Sequence, residues 1–219
     1  MNGEKDIQEF INISQQTIDP KLEKKIIERI LNCSTTLDFS NQSEEEKIND
    51  LSIKIISERM NQKADINHLN LRGNKIKDKG IEYLSKSLKK NSKIKRIDLS
   101  KNLISDQSIR ILSEVLITNS TIEEIYLNEL KNISENGLKF LLDSLCFNHN
   151  LKVLSFDDNS HIGSETKMRI SNLLKENQQY PESAEKRVQE NLKNSRQYKG
   201  IKILKIYLVK KKKLKLKKN

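Results

Sequence analysis

The stretch LNLRGN, from Leu69 to Asn74, recurs along this chain with its apolar residues and its asparagine in nearly the same places. Its copies are IDLSKN from Ile97, IYLNEL from Ile125, LSFDDN from Leu154 and a weaker one, LDFSNQ, from Leu37. The copies start 32, 28, 28 and 29 residues apart. A period of this length indicates units that stack on one another and bury a shared core, which predicts a solenoid.

Each unit combines two patterns of apolar residues, one typical of a strand and one typical of a helix. Residues such as Leu69 and Leu71 alternate with polar neighbours, as in a strand that is buried on one face. We therefore predict an α/β fold, a right-handed leucine-rich-repeat solenoid of about five strand–helix units with a parallel sheet on its concave side. Apolar residues also recur at spacings of three and four, which is typical of helices that face the sheet, in the sets Ile53, Ile56 and Met60; Ile81, Leu84 and Leu88; Ile109, Leu112 and Leu116; Leu138, Leu141 and Leu145; and Ile170 and Leu174.

An asparagine closes most of the repeated stretches. Asn74, Asn102 and Asn159 occupy this position, and Leu130 replaces it in one copy. An amide side chain both donates and accepts hydrogen bonds. We therefore expect these asparagines to bond to backbone groups of the turns that stack above and below them.

The chain divides into four predicted segments. A helical cap would cover the exposed flank of the first repeat, and the second of its two short helices begins at Asp19 and Pro20, a favourable helix start. A narrow apolar stripe predicts a further helix after the last repeat. The segments are the N-terminal cap, residues 1–34; the repeats, 35–180; the terminal helix, 181–197; and a low-complexity tail, 198–219.

The positive charge is concentrated at one end. The formal net charge is +11, and the tail contributes ten lysines and no acidic residue. The rest of the chain is close to neutral, which argues against sequence-specific nucleic-acid binding. A lysine-rich tail of this kind is suited to contact with anionic surfaces.

The N-terminus carries early charges and no continuous apolar segment, so the sequence predicts neither a secretory signal nor a membrane-spanning helix. Only two cysteines are present, Cys33 and Cys146. These features predict a reduced, cytoplasmic protein.

Catalytic and metal-binding patterns are weak. No glycine-rich phosphate loop or catalytic carboxylate pair accompanies the three histidines. Cys146 and His149, with His161 further on, have spacing that would suit zinc. Cys146, however, directly follows an apolar helix face, which favours simple packing. We predict no enzymatic activity, no cofactor and no metal site.

The outward-pointing strand residues predict a protein-binding surface. They run from basic to acidic along the solenoid, and mixed charge favours a protein partner over a phosphate backbone. Tyr126 is the aromatic of an otherwise small and polar column, so we expect it to dominate binding. The candidate residues are His68, Arg72, Arg96, Asp98, Glu124, Tyr126 and Asp157.

The units resemble the ribonuclease-inhibitor class of leucine-rich repeats, and the end of the chain resembles the C-terminal domain of tropomodulins. The similar segment is Gly163 followed by Met168, Ile170, Leu173, Leu174 and Asn177, and then Gln178, Gln179 and Pro181. Whether a further strand covers the last repeat is left open by these residues.

Tropomodulins cap the slow-growing (pointed) end of actin filaments. The resemblance therefore implies a cytoskeletal role as a monomer, with actin as the leading partner. Because filament surfaces are acidic, Lys175, Lys186 and Arg187 are the expected contacts near the C-terminus. Two alternatives stay open: a generic cytosolic adaptor, and a Ran-type GTPase activator, for which Arg72 would be the catalytic candidate.

Overall fold

The computed structural model describes residues 18–62, 65–159 and 162–193. The first of the two predicted N-terminal helices, His161, the end of the terminal helix and the basic tail lie outside the described residues. Within the described residues, no helix is both long and apolar enough to cross a membrane.

Strands and helices alternate along the described chain. A short 3₁₀ turn, Met60–Gln62, extends the second helix. In chain order the elements are α1 (Pro20–Asn32), β1 (Thr36–Asp38), α2 (Asp50–Arg59), β2 (His68–Asn70), α3 (Asp78–Leu88), β3 (Arg96–Asp98), α4 (Asp106–Thr118), β4 (Glu124–Tyr126), α5 (Glu135–Leu145), β5 (Val153–Ser155), α6 (Ser164–Gln179) and α7 (Pro181–Lys193).

The five strands form one parallel sheet in sequence order. Its register aligns the middle residues of the strands, so that Leu37, Leu69, Ile97, Ile125 and Leu154 are stacked and buried. The apolar helix positions predicted from the sequence are buried as well. The predicted leucine-rich-repeat solenoid is therefore confirmed, with a thin aliphatic core between a strand layer and a helix layer.

The turn after each strand contains one residue in the left-handed region of backbone space. These residues have φ between 55° and 74° and follow the repeat period: Asn41, Gly73, Lys101, Glu129 and Asp158. Only Gly73 is free of the steric cost of a side chain there. The turns are tied together by backbone bonds, for example from Gly73 N to Ser100 O at 2.9 Å. The stacked turns thus line up side chains at one edge of the sheet.

Polar side chains link each unit to the next. The amide of Asn102 donates to Leu71 O at 2.9 Å and accepts from Ile76 N at 3.1 Å, as predicted for the asparagine that closes the strand. A second row, not predicted, follows the helices: Asn119 donates to Leu88 O at 2.8 Å, and Asn148 donates to Leu116 O at 2.8 Å. Buried polar groups are costly unless paired, so these rows fix the stacking register.

A third row consists of acidic residues at the helix N-termini. Asp106 accepts from Ser134 N at 2.7 Å and from Ser134 Oγ at 2.5 Å. Asp50, Asp78 and Glu135 make the same kind of contact with the following unit. The carboxylates also lie at the positive ends of the helix dipoles, which stabilises their charge.

Gly137 makes room for this acidic row. A Cβ at this position would overlap the Asp106 carboxylate and lie 3.4 Å from the Asp106 Cα. We expect Gly137→Ala to displace Asp106 from Ser134 and to lower the free energy of unfolding by about 1–3 kcal/mol, despite the better helix propensity of alanine. Urea unfolding monitored by circular dichroism measures this change.

Gly163→Ala is the matched control, since Gly163 has φ of −63° and its nearest atom, Glu135 Oε2, would be 3.3 Å from the new Cβ. Equal loss of stability in both variants would contradict the role given to Gly137.

Helix α7 packs against the end of the helix layer. Ala184 and Val188 are buried, and the predicted apolar stripe is thereby seen to face the repeats. Asn191 Nδ2 donates to Cys146 O at 3.0 Å. The helix therefore covers α6 and the C-terminal end of α5.

Candidate protein-binding surface

The strands place most of the predicted binding residues on one side of the sheet, which we call the strand face. His68, Arg96 and Glu124 are register partners in one column, and Asp98 and Tyr126 are partners in the neighbouring column. All five are partly exposed. The alternation of the strands thus brings together the residues that the sequence analysis selected.

Arg96, Glu124 and Tyr126 form a connected cluster at the middle of the strand face. The Tyr126 hydroxyl donates to Glu124 Oε2 at 3.0 Å. The Arg96 guanidinium carbon lies 4.6 Å from the centre of the Tyr126 ring, and Arg96 Nε lies 3.5 Å from Glu124 Oε2. A cation over the ring and a hydrogen bond at its tip hold the aromatic in place. The cluster therefore presents an aromatic side chain that loses little freedom on binding.

Partial burial favours the uncharged forms of two members of the strand face. Burial raises the pKa of Tyr126, and the hydrogen bond to Glu124 and its negative charge raise it further. Burial lowers the pKa of His68, and the nearby Arg96 charge acts in the same direction. The neutral forms of the Tyr126 phenol and the His68 imidazole are therefore favoured, which reduces the desolvation cost of covering them.

Glu129 connects the turns at the edge of the strand face. Its carboxylate accepts from Arg72 NH2 at 2.5 Å and lies 2.9 Å from Lys101 Nζ. The hydrogen bond from Lys101 lowers the pKa of Glu129, partial burial opposes this, and the bond from Arg72 adds to the lowering. Arg72 is therefore engaged within the protein.

The sequence analysis missed Glu129. Its position in the repeat, equivalent to Gly73 and Lys101, is the signal that could have found it.

Charges at the opposite edge of the sheet also bridge neighbouring units. Glu123 lies 3.6 Å from Lys95 and 2.8 Å from Lys152. Because most charges near the sheet are paired in this way, the strand face has no strong field of one sign. Such a surface is suited to a partner with complementary mixed charge.

The predicted residues of the C-terminal part lie apart from the strand-face cluster. Asp157 follows β5, is exposed, and accepts from Ser155 Oγ at 3.0 Å. Lys175 on α6 and Lys186 on α7 are exposed. All three are exposed charges of the last unit and of α7, which we call the C-terminal region.

Arg187 lies in the C-terminal region as well but is largely buried, and its role as a partner contact stays a prediction. Only 16% of its side chain is exposed. It forms an ion pair with Glu176, donates to Asn177 Oδ1 at 2.9 Å, and reaches the carbonyl oxygens of Leu145 and Asn148 at 3.3 Å. Arg187 therefore binds the ends of two helices of the repeats to α7.

Cys146, one of the residues considered for zinc, is partly buried. Burial raises the pKa of the Cys146 thiol, which favours the neutral form over the thiolate that binds metal. The described residues contain no group of three or more histidine, cysteine or acidic side chains that could hold a metal ion. The described part of the chain thus gives no support to the zinc interpretation.

Comparison with known proteins identifies the repeat and the fold. The leucine-rich-repeat family profile matches residues 64–85. Among solved structures, actin-binding site 2 of leiomodin-1 aligns with a TM-score of 0.60 at 18% identity, covering 84% of this chain and 99% of that chain. The tropomodulin C-terminal domain from Caenorhabditis elegans aligns with a TM-score of 0.55 at 14% identity, covering 71% and 92%. No curated protein sequence matches the chain significantly.

Proposed function

Because the chain is a leucine-rich-repeat protein with a fold close to that of the tropomodulin C-terminal domain, we propose that it is a non-enzymatic protein-binding module that associates with actin. In this proposal it acts as a monomer at the cytoskeleton. The strand face and the exposed lysines of the C-terminal region are its two contact surfaces.

The observation that carries the proposal is the Arg96, Glu124 and Tyr126 cluster. It has the composition of an interface centre, with an aromatic and an arginine held in place among small polar residues. One of the proteins that share this fold is described as an actin-binding site, which gives the choice of partner. Exposed charge pairs are worth only about 0–1 kcal/mol each. We therefore expect micromolar association rather than tight capping.

The GTPase-activator alternative has less support. It would need an arginine that is free to reach a nucleotide, and Arg72 is held by Glu129. The generic adaptor alternative differs from the proposal only in the partner. Nucleotide turnover by a small GTPase in the presence of the protein separates the first alternative from actin binding.

The direct test is pointed-end elongation from gelsolin-capped actin seeds, with the full chain titrated to high concentration and pelleting on filaments measured in parallel. Slower elongation together with co-sedimentation supports the proposal. If elongation is unchanged and nothing pellets, the actin proposal is wrong and the adaptor interpretation replaces it.

Tyr126→Ala should weaken filament binding about thirtyfold, since truncating an aromatic hot-spot residue at an interface centre costs about 2 kcal/mol. Tyr83→Ala is the matched control, because Tyr83 lies on α3 between Lys79 and Lys86, away from the strand face. Co-sedimentation over a range of actin concentrations gives both dissociation constants. Equal weakening by the two changes would show that the strand face is not the contact.

A further inference from the structure

Among the residues that the structure describes, the parallel sheet ends at β5, and we call the unpaired side of β5 the open edge. In the earlier units, the amide that follows each strand donates to the next strand, as from Leu99 N to Tyr126 O at 2.9 Å and from Leu127 N to Ser155 O at 2.7 Å. The equivalent amide after β5 is that of Phe156. It has no acceptor among the residues that the structure describes, and β5 pairs only with β4.

One backbone carbonyl at this edge already has a hydrogen-bond donor, which comes from a side chain and not from a strand. In the unit before, Glu123 O accepts two amides, Lys152 N at 2.8 Å and Val153 N at 3.0 Å. The equivalent carbonyl, Lys152 O, accepts Gln178 Nε2 at 2.7 Å. The side-chain amide of Gln178 thus closes one end of the edge and leaves the rest of it accessible.

An apolar groove lies beside the open edge, between β5 and α6. Its empty volume is about 550 Å³, including solvent at its mouth. Helix α7 covers the other end of the helix layer and does not line this groove. The apolar lining comes from Val153, Leu154, Phe156, Ile170 and Leu174. A strand laid along β5 would therefore bury apolar side chains as well as pair its backbone.

The rim of the groove is basic. Lys152, Lys167 and Lys175 line it. Lys152 is paired with Glu123, whereas Lys167 and Lys175 are exposed and have no carboxylate partner among the described residues. These charges favour an acidic occupant. They disfavour the chain's own tail, residues 198–219, which contains ten lysines and no acid.

We propose that this groove binds an extended segment of another protein, which adds to the sheet as a sixth strand parallel to β5. The segment has apolar residues at alternate positions and carboxylates at its ends. Backbone pairing with the open edge supplies affinity, and the lysine rim with the apolar groove supplies specificity. This binding site is separate from the strand face. It shares Lys175 with the second proposed actin contact, and peptide binding is measured without actin, so the two proposals can fail independently.

The first experiment measures binding of a fluorescein-labelled peptide to the full chain by fluorescence anisotropy. The peptide alternates valine and threonine at its centre and carries glutamates at both ends. Two control peptides replace the glutamates with lysine or the central threonines with proline, which removes backbone donors. We expect both controls to bind at least about tenfold more weakly. Equal binding of the proline peptide would overturn strand addition.

The second experiment changes the protein. Lys167→Glu with Lys175→Glu should weaken binding of the acidic peptide about tenfold, which corresponds to two exposed pairs of about 0.7 kcal/mol each. The matched control is Lys54→Glu with Lys93→Glu, two exposed lysines in the first repeats. Equal effects of the two double variants would mean that the charge attraction is general, and the groove would be excluded as the site.

Amide hydrogen exchange locates the contact. Peptide addition should slow exchange of the Phe156 amide at least tenfold and leave the Leu127 amide unchanged. Strong protection of Phe156 in the full chain without peptide, combined with no peptide binding, would show that the chain's own tail occupies the edge and would overturn the proposal.

Discussion

Leu99→Ala should lower the free energy of unfolding by about 2–5 kcal/mol, the largest loss that we expect from a single core truncation. Leu99 follows β3 in the middle of the solenoid and is fully buried. Units on both sides confine it, so the site cannot collapse easily around the missing atoms. Urea unfolding of the full chain gives the difference directly.

Asp98→Ala is the control for this prediction. Asp98 is the preceding residue, but it points to the strand face and is partly exposed. The hydrogen bond described for its side chain comes from Ser100 N at 2.9 Å. We expect a loss of about 1 kcal/mol or less. Similar losses from both changes would contradict the observed alternation.

Arg187→Ala should destabilise the protein by about 3 kcal/mol, because it leaves Glu176, Asn177 Oδ1 and two carbonyl oxygens without their donor in a largely buried place. The contacts of Arg187 join α7 to α5 and α6. The loss should therefore appear first at the C-terminal end of the solenoid. Hydrogen exchange of α6 and α7 amides, compared with those of α3, measures that local effect.

Lys186→Ala provides the comparison, since Lys186 is the neighbouring residue and is exposed. A change within about 0.5 kcal/mol is expected for such a position. If Arg187→Ala were equally mild while actin binding fell, Arg187 would be a binding residue after all.

The repeat period predicted most of the fold because every unit buries the same aliphatic positions between a strand and a helix. One alignment of the repeats makes Leu69, Ile97 and Ile125 equivalent. That alignment predicts the strand register and the columns of the strand face. The asparagine row could be predicted for the same reason, since an amide at a constant position meets the same backbone groups in every unit.

The remaining features depend on side-chain contacts that do not recur with the repeat period. Arg187 lies outside the repeats, and a basic residue on a charged helix gives no sign in the sequence that it reaches buried carbonyl oxygens. The engagement of Arg72 by Glu129 spans two units and depends on how far two long side chains extend. The open edge at β5 likewise follows from where α7 packs, which the amphipathic pattern of that helix does not determine.

The three polar rows have a consequence for the length of the molecule. The rows repeat every 28 or 29 residues, with Leu130 as the exception in the asparagine row. Residues 78–105 therefore constitute one complete 28-residue module that contains one member of each row. Removing this module would place Asp106 directly after Lys77, so that the Asp50 contact with Lys77 and the Asp106 contact with Ser134 would each keep a matching neighbour. Duplicating residues 78–105 would likewise keep these contacts between neighbouring units. The architecture can therefore shorten or grow by whole modules, and with it the number of strands available to a partner.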